Sequence, residues 1–302
     1  MLTDQIIETV VRAALLEDAP WGDLTSQLLI PETAYASARL AAREPGTFSG
    51  GAVFTAAMKL TDPTIVVDLA LEDGGRFEAG DTLASVSGPA RSVLQAERVA
   101  LNLVQRMSGI ATLTASYVAE IAHTSARIVD TRKTTPGLRA FERHAVRSGG
   151  GHNHRFSLSD AVMAKDNHLA VLTAQSGLSV TDALLAVRAQ LSHTTHLEVE
   201  VDRIDQLGPV LAAGVDTIML DNFTLDGLRE GVEIIAGRAI VEASGNVNLG
   251  TVRDIAETGV DVISVGALTH SVRSLDLGLD VVVDAAAGPG AVASGAEEPT
   301  AP

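Results

Sequence analysis

The chain has no cysteine among its 302 residues, which excludes disulfides, thiolate metal ligands and a cysteine nucleophile and suits a reducing compartment. Aromatic residues make up only 3%, and 38 acidic against 22 basic side chains give a formal charge of -16. Neither a basic face nor a stacking platform for nucleic acid is available in such a composition. No apolar run reaches the roughly 20 residues of a membrane span. The opening MLTDQIIETVVRAALLEDAP carries early acids and helically spaced apolar residues, unlike the basic start and unbroken apolar core of a signal peptide. With 46% hydrophobic and 20% charged residues, the expectation is a folded cytoplasmic protein of one large or two ordinary domains.

Residues 1 to 17 read as an amphipathic helix, and the segments 36 to 43 and 64 to 71 as strands. LEDGGRFEAGDTLASVSGP, with Gly74-Gly75, Gly80-Asp81 and Gly88-Pro89, punctuates short alternating segments as turns do. From Ser92 the pattern predicts a helix ending near Gly109, then a second helix to about His123, with the domain boundary in this region. Strands at 127 to 130, 161 to 165, 196 to 201, 215 to 220, 239 to 244 and 261 to 266 then alternate with helical segments, the pattern of a parallel β/α domain. Polar residues close these strands (Asp130, Lys165, Glu200, Asp221, Ser244) and Gly266 closes the last, and in a barrel those ends converge on one mouth. Six readable strands instead of eight predict an incomplete barrel, with room for a further strand between Gly149 and Arg155. Residues 286 to 302, small and rich in Gly and Pro, read as a disordered tail.

Against the acidic whole, residues 130 to 165 gather Arg132, Lys133, Arg139, Arg143, Arg147, Arg155 and Lys165 against Asp130, Glu142 and Asp160. An acidic surface cannot collect a polyanion, so such a local reversal marks an anion pocket with its own field. Arg132 and Lys133 directly follow a strand, and Pro136 is expected to open a helix. Arg139 and Arg143, one turn apart around Glu142, fit a solvated, salt-bridged helix face. In SGGGHNHR the glycines would let the backbone approach a ligand, with His154 and Arg155 as anion contacts. His152 and His154 also form a His-x-His pair of the kind used by metal-dependent barrel hydrolases, although the following strand ends bring carboxylates and no histidine. His123, His193 and His196 belong to no constellation. Glu198 and Glu200 share one face of their strand, and Glu200 with Asp221 would suit ribose hydroxyls or a Mg²⁺ shell, while one of the two glutamates could equally be a buried partner for a basic residue of the pocket. The loops Ser244-Gly245-Asn246 and Val265-Gly266-Ala267 precede helices and could hold phosphate on free N–H groups.

The ordered set AERVALNLVQRMSGIAT, DTRKTTPGLR, GGGHNHR, SDAVMAKDNH, LEVEVD, MLDNF, EASGN and SVGALTH resembles the quinolinate phosphoribosyltransferases, also called carboxylating nicotinate-nucleotide pyrophosphorylases, over about residues 5 to 285. The resemblance implies an α/β class, type II phosphoribosyltransferase-like fold: an N-terminal α/β sandwich domain (1-108, joined by part of 270-285) and an incomplete, open α/β barrel (109-270). It also implies transfer of phosphoribosyl from phosphoribosyl pyrophosphate to quinolinate with loss of CO2, giving nicotinate mononucleotide and pyrophosphate for NAD biosynthesis. Mg²⁺ would be the cofactor, and a homodimer would share its active sites, with dimer versus hexamer left open. Residue by residue, Arg98 would reach across the dimer to a quinolinate carboxylate, opposite Arg132, His154 and Arg155. Lys133 and Lys165 would complete the cationic lining beside Thr131. Glu200 and Asp221 would face the ribose hydroxyls and Mg²⁺, and Ser244, Gly245, Asn246, Val265, Gly266 and Ala267 would hold the 5′-phosphate. The catalytic group in this reading is Lys133, Lys165, Glu200 and Asp221. A paralogous transferase of molybdate-transport type with another acceptor is the alternative within the fold, and a metal-dependent hydrolase the alternative outside it.

Overall fold

The computed structural model describes residues Leu2 to Asp284; the tail expected at 286 to 302 lies outside them. The chain divides into two compact units, Leu2–Gln105 with Leu275 onward, and Arg106–Ser274.

The first unit is built on an antiparallel sheet in the order β12-β1-β5-β3, from strands β1 (Tyr35–Ala42), β3 (Val66–Leu69), β5 (Thr82–Pro89) and β12 (Leu277–Asp284). A short ribbon pairs β2 (Gly46–Thr47) with β4 (Arg76–Phe77). Helix α1 (Asp4–Asp18) starts where the Thr3 hydroxyl accepts the Ile6 amide, and it turns Ile7 and Val11 into the core. Asp23 caps α2 (Leu24–Leu29) by accepting from the amides of Thr25 and Ser26. With α3 (Gly51–Thr61), these helices accompany a core of Leu40, Phe48, Phe54, Met58, Ile65 and Leu83. The apolar side chains of Leu16, Trp21, Leu24, Leu28 and Leu29 stay exposed in this unit.

The break expected at Gly109 is absent. Helix α4 runs unbroken from Ala90 to Glu120, and the division between units falls inside it, after Gln105. Gly109 is there for a close approach: a Cβ would overlap the Arg273 carbonyl oxygen. A mid-helix glycine costs about 1 kcal/mol relative to alanine, which a packing demand of this kind overrides.

In the second unit, β6 (Arg127–Val129), β7 (Val162–Ala164), β8 (Leu197–Val201), β9 (Thr217–Asp221), β10 (Ile240–Ser244) and β11 (Val262–Ser264) form one parallel sheet, ordered β6-β11-β10-β9-β8-β7. The six strands are those legible in the sequence. Among the described residues β6 and β7 do not pair, so the barrel is open, and the Gly149 to Arg155 segment contributes one isolated bridge, Val129 to His152, in place of a strand. Val199, Ile218 and Ile263 are fully buried, while Glu200 pairs in register with Met219, and Ser244 with Asp221. Two-residue alternation therefore sends Glu200, Asp221 and Ser244 to the other face. Among the described residues no single helix is long and apolar enough to cross a membrane.

Candidate active site

The C-terminal strand ends of the second unit surround a cavity of about 740 Å³, within the range of small-ligand sites. Thirteen of the expected residues line it: Thr131, Arg132, Lys133, His154, Arg155, Lys165, Glu200, Asp221, Ser244, Gly245, Asn246, Gly266 and Ala267. Two do not. Val265 is 1% exposed and its amide already donates to the Val129 carbonyl, so it has nothing to offer a phosphate. Arg98 sits exposed on α4 in the other unit. Met163, Met219, Asn222, Glu242, Val247, Ser264 and His270 line the cavity without having been singled out; the two methionines and Val247 carry no sequence signal of a site, and Glu242, inside a buried strand, shows none until the fold brings it to His154.

The cations have different employments. Arg132 and Lys133 have no carboxylate partner among the described residues, whereas Lys165 pairs with Glu200. Arg155 donates to the Ala161 carbonyl at 2.9 Å, and burial, with the nearby charge of Arg132, pushes its pKa down. The solvated face expected around Arg139 and Arg143 does not exist. Glu142 is 1% exposed and pairs with Arg106 at 2.6 Å, a residue the sequence reading passed over. Arg143 donates to the His154 carbonyl at 2.6 Å and lies over the Phe156 ring at 5.2 Å, while Arg139 donates to the Phe156 carbonyl at 3.1 Å. Helix α5 (Arg139–Ser148) begins three residues after Pro136, not at it, and its basic side chains brace the loop that carries His154.

Asp130 braces the same loop from the strand side. It is fully buried, its Oδ1 accepts the His154 amide at 2.8 Å, and its Oδ2 accepts from Asn153 Nδ2 at 2.6 Å. Burial pushes its carboxyl up, against the pull of Arg143. The glycines before this loop serve packing more than ligand approach: a Cβ on Gly149 would overlap the Ala111 carbonyl of α4.

His154 faces two carboxylates. Its Nε2 lies 3.3 Å from Glu198 Oε2 and 3.4 Å from Glu242 Oε2, and its Nδ1 accepts the Arg155 amide at 2.7 Å. Burial alone would lower the ring's pKa, but the two carboxylates outweigh it and push it up to about 10. Burial raises the Glu198 carboxyl as well. His152 takes no part: its Nδ1 lies 3.3 Å from Arg147, and burial with the charge of Arg147 pushes its pKa down. The His-x-His pair is therefore not a metal pair. The grouping of His154, Glu198 and Glu242 has the ligand types and spacing for an ion, but Nδ1 already accepts a hydrogen bond. A neutral ring must then carry its hydrogen on Nε2, where a metal would need a lone pair. His168 is likewise occupied, its Nδ1 accepting the Lys165 amide at 3.0 Å.

Arg132 and Lys133 without acidic partners among the described residues, carboxylates at adjacent strand ends and a small-residue loop around one cavity suit an anionic ligand on an open α/β barrel, as enzymes of this architecture place their sites. Residues 23–108 match the family described as quinolinate phosphoribosyl transferase, N-terminal domain, and residues 110–280 its C-terminal domain. The chain belongs to the quinolinate phosphoribosyltransferase family, whose decarboxylating pentosyl transfer to quinolinate serves NAD biosynthesis. It is 44% identical to the nicotinate-nucleotide pyrophosphorylase [carboxylating] of Mycobacterium leprae over 90% of this chain and 95% of that protein. It is 42% identical to the probable enzyme of the same name from Bacillus subtilis, over 89% of this chain and 91% of that one. The crystal structure of NadC from Streptococcus pyogenes superposes with a TM-score of 0.89 at 40% identity, covering 94% of this chain and 99% of that one.

Proposed function

We propose that the cavity binds quinolinate and phosphoribosyl pyrophosphate side by side and that its residues divide the work by charge. Arg132, His154 and Arg155 take the two carboxylates of quinolinate, with Arg98 of a second subunit completing the contact. Glu200 and Asp221 face the ribose hydroxyls, and Ser244 to Asn246 with Gly266 and Ala267 hold the 5′-phosphate. The observation that carries this reading is that Arg132 and Lys133 enter the cavity with no acidic partner among the described residues, in a chain of net charge -16.

The donor set fits a Mg²⁺ ion. Asp221 lines the cavity, and its Oδ2 accepts from the Asn222 side-chain amide at 2.7 Å; hard oxygen donors of this kind hold Mg²⁺ together with substrate phosphates. The ion would neutralise charge on the departing pyrophosphate. As the bond from the ribose carbon to pyrophosphate breaks, positive charge grows on the ribose, and the Glu200 and Asp221 carboxylates stand where they oppose it. Lys133 faces the growing negative charge of the leaving group. The pyridine nitrogen forms the new bond to the ribose carbon. Loss of the adjacent carboxylate as CO2 leaves an electron pair on the ring carbon, which the ring's own positive charge stabilises until a proton arrives.

The exposed apolar side chains Leu16, Trp21, Leu24, Leu28 and Leu29 support a homodimer, and the acidic, cysteine-free composition supports a cytoplasmic location. Arg132→Ala tests the assignment. The expected result is a quinolinate KM raised at least tenfold, since hydrogen bonds to charged groups contribute about 1.5–3 kcal/mol, with the KM for phosphoribosyl pyrophosphate little changed. An unchanged quinolinate KM contradicts it.

A further inference from the structure

Glu198 and Glu242 are each 3% exposed and stand at inward positions of β8 and β10. In each, Oε2 is turned to His154 and Oε1 is buried with no hydrogen-bond partner. No lysine or arginine forms an ion pair with either carboxylate among the described residues. Two buried carboxylates with one shared partner are an expensive arrangement, because each desolvated oxygen costs free energy unless it is used. A pair of apolar residues would fill the same volume without that cost.

We propose that Glu198 and Glu242 are positioning residues that hold the Nε2 hydrogen of His154 between them and so fix this ring in the floor of the cavity. The proposal rests on the reading of His154 as a contact to quinolinate. The geometry closes on the ring from both sides. The Arg155 amide donates to Nδ1, so rotation about the ring axis is stopped there, and the two carboxylates lie 3.3 and 3.4 Å from Nε2 on its other side. Asp130 and Arg143 anchor the backbone at the same place, through the His154 amide and carbonyl. Glu242 itself lines the cavity. Either carboxylate alone could accept the hydrogen. Together they tie the ring to two strands, as a single acceptor could not, and hold it where it lines the cavity. A histidine used as a proton shuttle would need one nitrogen free toward the substrate. This one has both engaged, which assigns it to orientation.

The test uses the full-length enzyme with ¹⁵N-labelled histidine, together with Glu198→Gln, Glu242→Gln and Glu198→Leu. In the wild type, and in each glutamine variant, which keeps an accepting oxygen, the His154 Nε2 signal should be that of a protonated nitrogen. Glu198→Leu should shift that signal and raise the quinolinate KM on the order of tenfold, as expected for loss of one hydrogen bond to a charged group. The KM for phosphoribosyl pyrophosphate and kcat should stay close to wild type, and glutamine at 198 should restore the quinolinate KM. An unprotonated Nε2 in the wild type, as metal coordination would give, overturns the proposal. So does a parallel rise of both KM values in the leucine variant, the sign of general damage. Should the leucine variant fail to fold, the wild-type nitrogen signal and the glutamine kinetics still decide. If no quinolinate-dependent product forms at all, the functional reading falls, while the nitrogen signals continue to report on the ring.

Discussion

The side-chain oxygen of Asn222 occupies the space that a Cβ on Gly245 would need. Asn222 itself has a left-handed backbone, φ 58°, rare outside glycine and tolerated best by Asn and Asp. From that position its amide donates to the Ser244 carbonyl at 2.9 Å, its Nδ2 to Asp221 at 2.7 Å, and its Oδ1 accepts from Asn246 Nδ2 at 3.1 Å. The carboxylate at the end of β9 and the small-residue loop after β10 are thereby one assembly. Gly245→Ala adds a Cβ where φ is 97° and displaces Asn222; strain of this kind costs on the order of 1–3 kcal/mol. The variant should keep its circular dichroism and lose about 10²-fold in kcat/KM for phosphoribosyl pyrophosphate, the scale of an ångström's misplacement. Wild-type kinetics would detach the loop from the phosphate site.

Removing Arg106 tests the stability of the second unit. Its guanidinium pairs with buried Glu142 and also donates to Thr135 Oγ1 at 3.1 Å and to the Thr269 carbonyl at 2.8 Å. Arg106→Leu leaves a buried carboxylate uncompensated, so the expected loss is about 3–5 kcal/mol, seen as a lower denaturant midpoint. Arg12→Leu, which breaks the exposed pair with Glu8, should change stability by less than about 0.5 kcal/mol. Equal effects would contradict the burial argument.

The Asp23 cap gives a pH test. The Ser26 hydroxyl, together with the Ser26 and Thr25 amides, outweighs burial and holds its carboxyl below the ordinary 3.8. A depressed folded-state pKa means that the stabilisation is present above the unfolded value and is lost as pH falls through the folded one. Asp23→Ala should therefore cost about 1 kcal/mol at neutral pH, and the gap to wild type should close as the solution is acidified below 3.8. Trp21, the only tryptophan, stands two residues away and gives the fluorescence readout. A gap independent of pH would show that the charge of the cap is not what stabilises α2.

A shared site makes its own prediction. Arg98→Ala and Lys133→Ala should each lose activity about 10² to 10³-fold, as electrostatic contacts to a reacting anion do. Mixed under conditions of subunit exchange, the two should recover activity through hybrids with one intact site. Exchange without recovery would argue for sites completed within one subunit.

The barrel strands were legible because each is short and rich in apolar residues, TIMLD as an apolar run closed by Asp221 and LEVEV as an alternation that brings in Glu198 and Glu200. What could not be read was any pairing that depends on distant chain segments. Gly109 looked like a helix stop because the Arg273 carbonyl that requires it lies far along the chain. The Arg139 and Arg143 turn looked solvated because its partners, the Phe156 and His154 carbonyls, are backbone atoms with no sequence signature. Glu198 and Glu242 lie 44 positions apart on strands separated by β9, so nothing local announces that one histidine joins them. Local alternation does place Glu198 on the same face as Glu200 and leaves either free to be a buried partner of a basic residue, but which residue is not local information.

The most direct measurement is product analysis after incubating the purified protein with quinolinate, phosphoribosyl pyrophosphate and Mg²⁺, beside a parallel reaction offering nicotinate. The account predicts nicotinate mononucleotide, pyrophosphate and CO2 in equal amounts, from quinolinate and not from nicotinate. Product from nicotinate alone, or none from a folded protein with either acceptor, would contradict it.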